Sequence, residues 1–456
     1  MNMHDSAGYA ISGANSRSIE AYEAAAHELR CYIGDPVATI DAALAHSPEM
    51  VMAHVLRAYL HLLGTEPAGL PVARACHAAA IGLPANDRER RHLEVVRRLA
   101  AGHWRAAGRL LEDLSVLYPR DALALQAGHQ VDFFTGDARI LRDRIARALP
   151  AWSASIPGYH ALLGMHAFGL EETGDYAQAE RQGRASVALE PRDGWGWHAV
   201  AHVMEMNGRV REGIDWLREN TTAWSPESFF AVHNWWHLAL YHLELDEIDT
   251  VLRLFDEPIY GQCSGVVLEL IDASALLWRL QLRGVEVGDR WQAVADNWAP
   301  LAAAGNYAFN DMHAMMAFVG SHRAKAQQAV LDAQRAAMKR TGDNVAFTVE
   351  VGHAATLAIQ AFGNGNYAEA VRLLRPIRSI AQRFGGSHAQ RDIIDLTLIE
   401  AAVRAGDRAL AAALAAERVA LRPQSPLALR YAERNHVLAE GATRDPVQSH
   451  AKTRAA

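Results

Sequence analysis

The feature that most constrains this chain is the return of glycine-led turn signals, at near-constant spacing, ahead of Ala- and Leu-rich segments. Gly34-Asp35, Gly102-His103-Trp104, Gly136-Asp137, Gly174-Asp175-Tyr176 and Gly208-Arg209 are separated by 68, 34, 38 and 34 residues. An element near Gly69 would split the first interval into two near-equal steps, and later turns fall at Asp246, Gly320, Gly365-Asn366-Tyr367 and Gly406-Asp407. Between turns the apolar residues follow three-and-four spacing, as at Tyr176, Ala179, Ala185, Ala188 and Leu189 before Pro191, which is the period of an α-helix. A period of about 34 residues is that of a helix-turn-helix repeat. The segment GDYAQAERQGRASVALEP has the tetratricopeptide form: glycine and tyrosine at the turn, small residues where helices touch, proline at the end. GNYAEAVRLLRPIR, from Gly365, repeats it.

Each such helix pair buries its apolar face only against the next pair. The expected fold is therefore all-α, a right-handed superhelix (α-solenoid) of TPR-like repeats running as one unit over residues 18–440, although the length of 456 residues would by itself suggest about three domains. First helices should line the concave wall. GVEVGDRWQAVADNWAP, from Gly284, breaks the period and marks an irregular connection or a bend. Residues 1–17 and 441–456 are polar and aperiodic, and are expected to be loose.

Composition narrows the partners. A net charge of -7, with basic stretches interleaved with acids, offers no general attraction for phosphate backbones, so nucleic acid is not an expected partner. Asp87, Arg88, Glu89, Arg90 and Arg91 with Arg97 and Arg98 read as the solvated face of an amphipathic helix. Cys31, Cys76 and Cys263 are odd in number and never spaced as CxxC, which supports neither a disulfide framework nor a cysteine-rich zinc site and fits a reducing cytoplasm. No basic-then-apolar leader and no run of 18 uninterrupted apolar residues is visible, so no membrane is expected. GxGxxG, Walker, GxSxG and CxxC sequences are absent, leaving nucleotide binding, a serine-hydrolase elbow and thiol redox chemistry without support.

HAVAHVMEMNGRVREG, HNWWHLALYH, GVEVGDRWQ, FNDMHAMMA and GGSHAQRD, in this order, resemble the tetratricopeptide repeat protein 38 family. ERRHLEVVRRLAAGHW and PGYHALLGMHAFGLEETGDYAQAE resemble its N-terminal half, so the likeness covers most of the chain. It implies a helical-repeat fold and leaves the chemistry to the residues.

The chemistry-bearing pattern is an echo. His198 and His202 are four apart, His233 and His237 are four apart, and the second pair follows the first by 35 residues, close to one repeat. Residues three or four apart share a helix face, so His198, His202 and Glu205 form one stripe and His233 and His237, with Trp236 beside them, occupy the equivalent place on the next first helix. Four imidazoles and an acid suffice to hold a divalent metal such as zinc, iron or manganese, although HxxxH is common by chance and no metallopeptidase signature is present.

Further candidates are Asn310, Asp311 and His313, polar residues in an apolar helix; His353, three residues after Glu350; and His388, Gln390, Arg391 and Asp392 at a helix start capped by Ser387. Asp311 or Glu205 could serve as general base, and Arg391 suits an anion unless it is paired with an acid. His92, His129, Asp132 and His160 are weaker, each more simply structural, and His166 is the most inward-looking of the N-terminal histidines. Six of the eleven tryptophans, Trp195, Trp197, Trp216, Trp224, Trp235 and Trp236, crowd this region and read first as helix packing, otherwise as the wall of a substrate pocket.

Two functions fit. One is a solenoid whose His-rich concave pocket binds a small anionic molecule, as a metal-assisted or His/Asp acid-base hydrolase, with Glu205, Asp311 and His313 catalytic, Arg391, Trp236, His353 and His166 contacting substrate, and His198, His202, His233 and His237 holding metal. The other is a scaffold whose groove binds a peptide or protein partner. The concentration of histidines, carboxylates and aromatics in a few units, with lysine scarce, favours the pocket.

Overall fold

The glycine-led turns work by dividing two tasks between adjacent residues. Gly174, at φ +86°, takes the left-handed conformation just past the helix Tyr159–Glu172, and the Asp175 carboxylate then accepts from the Gln178 N–H to cap Tyr176–Leu189. Gly136 with Asp137, and Gly406 with Asp407, repeat the device, their carboxylates reaching Ile140 and Leu410. At other turns a non-glycine residue takes the left-handed position, among them Asp246 at φ +64° and His322 at φ +58°. Gly320, expected at a turn, instead closes the helix Ala308–Gly320, where a Cβ would lie 2.3 Å from Trp291 Cε2.

The chain is an α-solenoid of TPR-like helix hairpins, and the two helices of a pair differ in burial as the repeat requires. The first helices Tyr159–Glu172, Gly194–Met206, Ala231–Glu244, Val267–Leu282, Ala308–Gly320 and His388–Arg404 are buried over most of their circumference. Second helices such as Tyr176–Leu189 bury one narrow stripe, here Ala179, Gly183, Ser186 and Val187, and face solvent elsewhere. The segment after Gly284 is only a short turn, because Arg290–Trp298 resumes as the second helix packed on Val267–Leu282 through Trp291 and Trp298.

What fills the concave side is the chain itself. The C-terminal half winds back over the N-terminal half: Tyr307 donates to the Phe134 carbonyl (3.0 Å), the Arg105 N–H to Asp343 (2.8 Å), Asn306 to the Thr65 carbonyl (2.7 Å) and the His388 N–H to Glu172 (2.7 Å). Ser425 likewise donates to Glu244 (2.9 Å). First helices from both halves thus meet at one hub.

The structure, a computed structural model, describes residues 3–443, with backbone alone for 435–443. The N-terminal segment, expected loose, is ordered as a two-stranded ribbon pairing Met3–His4 with Ala10–Ile11. The reason is Arg88, buried and held between Asp5 (3.0 Å) and Asp121 (3.1 Å), while Asn86 and Glu89 bond the backbone of Ala10 and Ser12. Of the tail expected to be loose, residues 441–443 complete the helix Pro426–Thr443 and the remainder lies outside the described residues. Among the described residues one helical run, Asn344–Gly363, has the length and mean hydropathy (1.3) to cross a membrane, and half of that window is buried inside the protein.

Candidate metal centre

The helices Gly194–Met206 and Ala231–Glu244 are successive first helices, and the 35-residue echo sets their histidines face to face. One ring nitrogen from each of His198, His202, His233 and His237 lies within 4.8 Å of the other three. His198 Nε2 and His233 Nε2 are 3.2 Å apart, and the His202 and His237 rings are centred 4.5 Å apart. Phe168 and Trp195 close the cluster on one side, and Trp236 lies nearly parallel to His233, at 14°. His198, His202 and His237 have essentially no exposed surface; His233 is the outermost, its side chain 14% exposed.

Behind three of the four imidazoles stands a carboxylate, each time at Nδ1. His233 Nδ1 bonds Asp272 (2.8 and 3.0 Å), His237 Nδ1 lies 3.3 Å from Glu205, and His202 Nδ1 lies 3.7 Å from Glu171. The acids come from three different helices: Asp272 from Val267–Leu282, Glu205 from Gly194–Met206 and Glu171 from Tyr159–Glu172. Only the Asp272 contact has hydrogen-bond geometry. Both nitrogens of His202 and of His237, His198 Nδ1, Glu205 Oε2 and both oxygens of Glu171 are buried without a hydrogen-bond partner. Such a gathering is unusual, because a buried polar atom left bare costs about 1–3 kcal/mol.

Burial, and then the neighbouring histidines, push the pKa of His198 and His202 far down, and burial does the same for His237 with help from His233 and Arg279. The three rings are therefore neutral, each with a lone pair to offer. Burial also raises Glu171 above the ordinary carboxylate range.

The other residues named from sequence go elsewhere. Glu205 joins the cluster and also faces Arg422 (3.5 Å). Trp236 is fully buried between the histidines and Arg279, so it is packing and no exposed pocket wall. His313 bonds its own helix at the Phe309 carbonyl (2.8 Å), and burial lowers its pKa to about 4. Asp311 faces Gln334, and burial pushes its carboxyl up to about 7. Neither Asp311 nor His313 makes a contact with the four histidines among the described residues. Arg391 is not free for an anion: it donates to Glu172 Oε2 (3.0 Å) and to the Gly386 carbonyl, while Asp392 pairs with Arg418 (2.7 Å). His353 bonds Gln334 (2.9 Å) and His166 bonds Gln182 (2.6 Å), both away from the cluster. His92 and Asp132 are structural, bonded to Asp121 and Arg144.

Sequence reasoning missed Asp272 and Glu171. Asp272 could have been found, since it is an acid in the middle of the apolar run LIDASALLW, the same signal that marks Asp311. Glu171 stands in LEETGD before a turn and looks like any solvated helix end.

Comparison with known proteins places no family model on the chain. Among solved structures, the human IFIT1 dimer with m7Gppp-AAAA is similar over 93% of this chain and 95% of that one, at 12% identity and a TM-score of 0.42. Yeast Tom70 is similar over 90% of this chain and 87% of that one, at 16% identity and a TM-score of 0.31.

Proposed function

We propose that this protein holds one divalent transition-metal ion between His198, His202, His233 and His237, at the hub where the two halves of the solenoid meet. The observation that carries the reading is the carboxylate at Nδ1 behind three of the four rings. A histidine that donates its Nδ1–H to a carboxylate is fixed in the tautomer whose Nε2 carries a lone pair, and this is how metal-binding imidazoles are oriented. The His198–His233 contact of 3.2 Å matches the edge of a tetrahedral shell, about 3.3 Å for metal–nitrogen bonds of 2.0–2.1 Å. An ordinary hydrogen bond would account for that one contact and leave the nitrogens of His202 and His237 bare. The all-nitrogen donor set suits zinc or iron before calcium or magnesium.

The chemistry proposed for the ion is hydrolysis of a small anionic molecule. A cavity of about 40 Å³ is lined by Glu205 together with Arg279, Arg283, Asp392 and Arg422. Arg279 has no carboxylate bonded to it, only the Ala275 and Ala389 carbonyls, and it replaces Arg391 as the cation available to an anion. Glu205, shared by the cavity and the cluster, is the base, and the ion supplies Lewis-acid polarisation when bound.

Elemental analysis of tag-free protein tests the first statement: one equivalent of metal per chain, lost in a folded His202→Ala, His237→Ala variant. A metal-free wild type that also ignores added zinc removes it. For the second, Glu205→Gln, assayed at saturating metal because it also removes the carboxylate behind His237, should lower hydrolysis of p-nitrophenyl phosphate by about 10²–10⁴-fold. Absence of hydrolysis by metal-loaded wild type would remove the hydrolase and leave the metal centre.

A further inference from the structure

A second group of ligand-type side chains, sharing no residue with the first, lies where the first helix of the chain meets Tyr159–Glu172. His27 and Cys31 are four apart on the helix Ser16–Cys31 and so share a face, and His160 reaches them from the start of the other helix. Cys31 Sγ is 3.9 Å from His27 and 4.0 Å from His160 Nε2, and one ligand atom from each residue lies within 4.8 Å of the other two. The rule that governs the first cluster governs this one. His160 Nδ1 bonds Asp193 Oδ2 at 2.8 Å, which leaves Nε2 as the nitrogen turned toward the thiol.

Asp193 is held rigidly for that task. Its Oδ1 accepts the Trp195 and Gly196 N–H groups as the cap of Gly194–Met206, and its Oδ2 also accepts from Ser186. The third ligand is freer. His27 is half-buried, and its two ring nitrogens are equally distant from Sγ, so a ring turn presents either one.

We propose that His27, Cys31 and His160 form a second site, with three protein ligands, for a thiophilic divalent ion such as zinc, with the fourth position left to water. One thiolate, two imidazoles and an open position are the donor pattern of a zinc site that can take a further ligand. Binding exchanges a proton for the ion: the S–H bond breaks, the S–metal bond forms and the proton leaves to solvent. The order Cys31, His160, Asp193 is also that of a nucleophilic triad, but Cys31 has no exposed surface from which Sγ could meet a substrate. Sequence reading discounted cysteine–zinc chemistry because no CxxC is present. The pairing here is i,i+4 on one helix plus a residue 129 positions away.

Cobalt titration of the metal-stripped, reduced full chain tests this independently of the four-histidine centre, because only a thiolate gives a sulfur-to-cobalt charge-transfer band in the near ultraviolet. The expected result is that band at one equivalent, lost together with that equivalent in Cys31→Ser and retained in the His202→Ala, His237→Ala variant. His27→Asn, at a half-buried position the fold tolerates, should weaken the cobalt responsible for the band at least tenfold. No band at saturating cobalt, or a band that survives Cys31→Ser, overturns the proposal. Absence of a second, band-silent equivalent from the wild-type titration would sink the four-histidine centre and leave this one standing.

Discussion

Asp272 shows what a single residue decides. By holding the Nδ1–H of His233 it commits the other nitrogen to face His198, and a buried acid in an apolar helix acquires a purpose. Asp272→Asn, which replaces the accepting carboxylate with a neutral amide, should weaken zinc binding by about 10–100-fold with little change in thermal unfolding, as read by competition with a chromophoric chelator. Asp311 makes the contrasting case. Burial raises its carboxyl from 3.8 to about 7, so the folded state holds a proton that the unfolded chain releases at lower pH. Its contribution is fully present below the unfolded value and is lost as pH rises through about 7. Asp311→Asn should therefore gain stability on wild type between pH 5 and pH 8, by on the order of 2–4 kcal/mol in urea unfolding. An unchanged difference across that range would show that Asp311 is ionised in the folded protein. At this scale the four histidines were legible because two identical spacings one repeat apart are improbable on unrelated surfaces. Their carboxylates were not, since a lone Asp or Glu in sequence does not say which ring it will stand behind.

The helix pair is the unit that makes such spacing meaningful. Glycine stops one helix in the left-handed region and aspartate starts the next, which is why turns at Gly136, Gly174 and Gly406 could be read directly. Where Asp246 and His322 take the left-handed position the signal weakens, and the expected turn slipped from His322 to Gly320. Gly320 leaves room for the Trp291 ring, whose Nε1 donates to Gln281 (3.1 Å). Gly320→Ala should cost about 1–3 kcal/mol by forcing that ring aside, a drop in unfolding temperature without change in helix content by circular dichroism. A neutral result would mean that the second helix Arg290–Trp298 slides freely on its neighbours.

The whole molecule adds what no repeat contains. The closing contacts join residues more than 150 positions apart, such as Glu172 with Arg391 and Glu244 with Ser425, and local pattern carries no trace of them. They explain why Arg391, legible as an anion-binding residue, is spent on Glu172, and why the predicted catalytic pair Asp311 and His313 sits apart from the histidines it was expected to serve. They also explain the burial of the four imidazoles, which on an open concave wall would be solvated. Enclosure turns three ordinary histidines, His198, His202 and His237, into neutral donors gathered with His233 around one point. X-ray absorption at the metal edge of the Cys31→Ser protein as isolated, which lacks the thiolate site, tests that claim most directly. The account predicts a first shell of about four nitrogen scatterers at about 2.0–2.1 Å with the outer-shell pattern of imidazole, absent from the His202→Ala, His237→Ala variant. A first shell of oxygen alone, or a spectrum indifferent to those substitutions, would contradict it.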